Sequence, residues 1–71
     1  MKVYDMLNGK WYEKKDLLKE SFDVFIQDLD INDFDNEKDR RRAAMMKARD
    51  YIAENTLTTK KQVKEWEEEN E

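Results

Sequence analysis

A small all-α bundle is the fold class this sequence predicts: three main helices preceded by a short N-terminal one. Three observations carry the expectation. Proline is absent and glycine occurs once in 71 residues, and these two residues interrupt helices at about 1 to 3 kcal/mol each. Apolar residues recur at three- and four-residue spacing over most of the chain. Charged residues make up 45 % of the chain and hydrophobic ones 38 %, which suits helices apolar on one stripe only. The length fits one domain, residues 1–71, and leaves no room for a two-domain enzyme with an interdomain cleft.

Met1 to Gly9 has two readings. Val3 to Leu7 followed by Asn8-Gly9 fits a short helix closed by a left-handed glycine. The alternative is a β-hairpin with Asn8-Gly9 as a type I′ turn between Val3–Leu7 and Lys10–Lys14. Val3 and Tyr4, Met6 and Leu7, and Trp11 and Tyr12 are adjacent pairs rather than an alternation, so the helix is favoured.

The second segment is an amphipathic helix of about five turns. Trp11, Leu18, Phe22, Phe25 and Leu29 fall on one narrow arc, with Ile26 at its edge. Leu17 and Val24 lie more than about 100° away and form a second apolar line. That line is either covered by another segment or serves as a partner or dimer face.

Residues 28–36 form an acidic connection anchored by Ile31 and Phe34, and Asp35 or Asn36 is placed to cap the next helix. Ala44, Met45, Ala48, Tyr51 and Ile52 make the stripe of that third segment, which ends near Glu54. Leu57 and Thr58 break its periodicity. Thr59-Lys60-Lys61-Gln62 is a capping box opening the last helix, whose apolar contacts are Val63 and Trp66. From about Glu67 the acidic tail opposes the helix dipole and is expected to fray.

Charge is arranged in blocks. Residues 21–39 carry a net charge of −6, residues 40–51 carry +4 and residues 62–71 carry −4, within an overall −4. With no Cys and no His, disulfides, thiol and imidazole chemistry and the usual zinc sites are excluded. No cofactor or metal is expected. Asp28, Asp30, Asn32 and Asp39 match ligand positions of a calcium loop, but Asp33 stands where the turn requires Gly, and Asp39 is shorter than the bidentate Glu. Catalysis is not expected, because shifting a carboxylate pKa needs a buried pocket that so small a core does not supply. No apolar run is long enough for a membrane span and no leader segment is apparent, so the expected setting is cytoplasmic.

The function expected from these features is that of a non-catalytic protein-interaction module. Asp23, Asp28, Asp30, Asp33, Asp35, Glu65, Glu68 and Glu69 would meet a basic partner surface, with Leu17, Val24 and Trp66 as apolar anchors. In its more specific form these carboxylates imitate phosphates and block a nucleic-acid-handling protein. In size and charge alone, the chain resembles the small acidic inhibitors made by phages. The alternative is direct nucleic-acid binding through Arg40, Arg41, Arg42, Lys47 and Arg49. It is less favoured because the flanking carboxylates repel phosphate and because a salt-bridged helix face, with Glu37 pairing Arg41, explains the same residues.

Overall fold

The computed structural model describes residues 1–70. Strands β1 (Lys2–Asp5) and β2 (Lys10–Glu13) precede helix α1 (Lys14–Asp28). A 3-10 turn at Ile31–Asp33 leads to α2 (Glu37–Asn55), β3 (Thr56–Leu57) and α3 (Lys60–Glu69). The all-α expectation is therefore corrected: three helices accompany a three-stranded antiparallel sheet in the order β2-β1-β3.

Val3 faces Tyr12 and Tyr4 faces Trp11 across the hairpin. Val3 packs with Leu17 and Ile52, and Tyr12 and Leu18 flank them. On the opposite face the Tyr4 ring meets Trp11 and, from α3, Trp66, with centroids 5.5 and 6.2 Å apart. Both sheet faces are covered near β1, so its apolar residues are adjacent in sequence instead of alternating. Of the adjacent pairs that argued for a helix, Val3-Tyr4 and Trp11-Tyr12 belong to the paired strands, and Met6-Leu7 lies in the loop between them.

The turn also departs from a two-residue type I′ connection. It is a four-residue loop, Met6 to Gly9, between paired Asp5 and Lys10. Gly9 sits at φ +68°, a conformation that favours glycine. The loop is closed by Gly9 N–H donating to the Asp5 carbonyl at 2.8 Å, and by Leu7 N–H and Asn8 Nδ2 donating to the Asp5 carboxylate. β3 then pairs Leu57, one of the residues that break the helical periodicity, with Tyr4, and Thr56 with Asp5.

The buried face of α1 is rotated from the expected arc. Leu17 and Ser21 are its buried residues, while Leu18, Phe22 and Phe25 are half-buried and Trp11 belongs to β2. Leu17 is thus core, covered by the N-terminal strand, and Val24 stays 59 % exposed. Ala44 and Ala48 of α2 are fully buried, small side chains that permit close helix approach. The expected caps are present: the Asn36 side chain accepts from Asp39 N–H at 2.9 Å, and Thr59 and Gln62 form the reciprocal capping box. α3 runs to Glu69, where the Asn70 side chain donates to the Trp66 carbonyl. Among the described residues, no helix is long and apolar enough to cross a membrane.

Candidate functional site

α1 leaves β2 directly, and α2 returns antiparallel to it toward the sheet. α3 sits on the far side of the sheet through Trp66. One long flank of the α1–α2 pair is left without a third helix, and the flank is a groove of about 570 Å³. Its floor is Leu18 and Phe22 of α1 and Met45 of α2, all half-buried. Its rims are Lys15 and Lys19 on one side and Lys38, Arg41 and Arg42 on the other, with Asp23 the one carboxylate among the lining residues.

Helical spacing produces this arrangement. Leu18 and Phe22 are one turn apart, as are Lys15 and Lys19 beside them, and Lys38, Arg41, Arg42 and Met45 fall on one side of α2. Among the described residues, none of the five rim cations pairs with a carboxylate within 4.0 Å. The Arg41 guanidinium lies over the Phe22 ring, 5.4 Å from its centroid, a cation–π arrangement that holds the charge above an apolar floor. The cationic surface extends toward the sheet, where Lys14 and Arg49 line a neighbouring cleft that shares Leu18.

Of the five cations expected to bind nucleic acid, Arg41 and Arg42 line this groove, and Arg49 borders it. Lys47 is exposed elsewhere on α2. Arg40 turns inward: Nε donates to the Leu29 carbonyl at 2.8 Å and a terminal nitrogen to the Ile26 carbonyl at 2.5 Å. It also takes Glu37, at 2.8 Å, as an i,i+3 ion pair. The expected Glu37–Arg41 pair is therefore replaced, and Arg41 is left for Phe22. Lys15, Lys19 and Lys38 were not singled out from the sequence. The available signal was cations at one-turn spacing bordering the apolar stripes of two helices.

The acidic set is divided by the fold. Asp28, Asp30, Asp33 and Asp35 are exposed at the end of the helix pair remote from the sheet. Glu65, Glu68 and Glu69 are exposed on α3, at the sheet end, and Asp23 lines the groove. The Asp30 carboxylate accepts from Asn32 N–H at 2.9 Å and so caps the 3-10 turn. Among the described residues, no group of three or more acidic side chains is arranged to hold a metal ion. Trp66 is half-buried on Tyr4.

A smaller cleft of about 230 Å³ between the hairpin and the helices includes Asp5, Ser21, Val24 and Tyr51. Asp5 is fully buried. Its carboxylate accepts from Tyr51 Oη at 3.0 Å, from Leu7 N–H at 3.1 Å and from Asn8 Nδ2 at 2.8 Å. Burial, and next the hydrogen bond donated to Asp5, raise the Tyr51 hydroxyl above its ordinary pKa of 10.0. This carboxylate is committed to joining β1, its loop and α2.

Comparison with protein-family models, curated proteins and solved structures gave no match.

Proposed function

We propose that this chain is a non-catalytic protein-interaction module that docks an acidic surface of a protein partner in the groove between α1 and α2. The supporting observation is the five cations, unpaired among the described residues, that rim an apolar floor on a chain of net charge −4. Keeping like charges together while seventeen of the eighteen acidic residues lie elsewhere carries a repulsive cost that an acidic ligand would offset. The buried carboxylate Asp5 has three hydrogen-bond donors and is needed for the fold, which favours binding over acid–base chemistry. The acidic blocks at opposite ends of the molecule support a phosphate-mimicking surface less well than the continuous groove supports an acidic partner.

Direct nucleic-acid binding is the second reading, favoured by the same cations. The test is to titrate the protein with poly-L-glutamate and, separately, with duplex and single-stranded DNA near physiological salt, following backbone amide shifts. Polyglutamate is expected to perturb Lys15, Lys19, Arg41 and Arg42. Lys19→Glu with Arg42→Glu is expected to weaken its binding at least about tenfold, the scale on which opposed charges discriminate partners. DNA bound more tightly than polyglutamate through the same residues would overturn the protein-docking reading.

A further inference from the structure

We infer that the partner segment is an acidic amphipathic helix, which lies along the groove and completes a three-helix arrangement with α1 and α2. The inference rests on the docking reading above and specifies its ligand.

The groove has the cross-section of a helix seat. Its apolar line follows the helix axes, because Leu18 and Phe22 are one turn apart on α1 and Met45 faces them from α2. Cations flank the line on both sides, Lys15 and Lys19 against Lys38, Arg41 and Arg42. An apolar seam bordered by one sign of charge selects a helix with an apolar seam bordered by the other. α1 is 15 residues long, about 22 Å at 1.5 Å per residue, so about four turns of partner helix would match it. Met45 suits a contact whose partner fixes the final packing, since its thioether side chain adapts to irregular surfaces.

Two further observations separate this ligand from others. The aromatic ring of the groove, Phe22, already carries the Arg41 guanidinium over one face, which removes from that face the stacking platform a single-stranded nucleic acid would use. The chain's own acidic amphipathic helix, α3, engages Tyr4 on the other side of the sheet through Trp66 and buries Val63. It leaves the third position beside α1 and α2 open.

The experiment uses the full chain and three synthetic peptides of about 18 residues, long enough to span the groove. The first has leucines on one helical stripe and glutamates beside it; the second is the same sequence with two central glutamates replaced by proline; the third is polyglutamate. Fluorescence anisotropy gives affinities, and circular dichroism reports peptide helicity. The amphipathic peptide is expected to bind at least about tenfold more tightly than the proline-broken one, to gain helicity on binding, and to shift the Phe22 ring and Met45 methyl resonances. Because truncating Phe22 also removes helix packing, the control is Arg42→Glu at an exposed position, with its fold checked by circular dichroism. This variant is expected to lose at least about tenfold in affinity for the amphipathic peptide. Equal binding of the helical and proline-broken peptides overturns the helix assignment and leaves the docking reading standing. Failure of all three acidic peptides to bind overturns both.

Discussion

Asp5 and Tyr51 illustrate chemistry that local sequence does not disclose. A carboxylate beside Val3 and Tyr4 reads as an ordinary exposed charge, and its hydroxyl partner lies on α2, far along the chain. The caps Asn36 and Thr59 were legible because donor and acceptor lie within three residues. Tyr51→Phe removes one of three donors to a buried carboxylate and is expected to destabilise the fold by about 1 to 3 kcal/mol in urea unfolding. It also tests a pH dependence. The Tyr51 pKa is higher in the folded than in the unfolded chain, so the folded chain holds its proton longer. The resulting stability is full below about pH 10 and is lost as pH rises through the folded pKa. Unfolding midpoints should fall less steeply above about pH 10 in Tyr51→Phe than in the native chain. An identical alkaline slope would show that the hydroxyl contributes nothing to this linkage.

The helices of residues 14–69 were legible as elements, while the hairpin, given as the alternative for the N-terminal segment, was ranked below a helix for a reason that belongs to sheets. Alternation marks a strand with one face in water, and β1 has side chains packed on both its faces. The buried face of α1 was misplaced because the polar Ser21 holds a buried position and Leu17, read as part of a second apolar line off the main arc, packs in the core. Arg40 serves a whole element: α1 has no basic residue in its last turn, and Arg40 of the next helix supplies the missing donors to Ile26 and Leu29. Arg40→Ala should destabilise the chain by about 1.5 to 3 kcal/mol, the range for hydrogen bonds to charged groups. Amide exchange should accelerate first in the last turn of α1. Arg40→Lys should restore little, because one ammonium does not reproduce a planar fork between two carbonyls. Unchanged exchange in Arg40→Ala would remove this capping role.

For the whole molecule, the sequence was right that the core is small: its buried cluster is Val3, Leu17 and Ile52, supported by half-buried Tyr12, Leu18 and Tyr51. The groove was not legible as a unit, since its rims come from two helices whose relative rotation is set by packing. Leu17 tests the core directly. Leu17→Ala is expected to cost about 2 to 5 kcal/mol, the range for a leucine removed from a packed interior. Leu17→Glu should abolish cooperative unfolding; a folded variant with a changed sedimenting mass would return Leu17 to an interface. The order of the sheet bears on how the chain is made. β1 lies in the middle, yet β3, its neighbour on one side, is translated only after both long helices. During synthesis that edge of β1 must wait, unpaired, for Thr56 and Leu57 to emerge. The interval exposes a sticky backbone to stray strand pairing on the ribosome, so chaperone demand in the cell should track translation speed through residues 14–57.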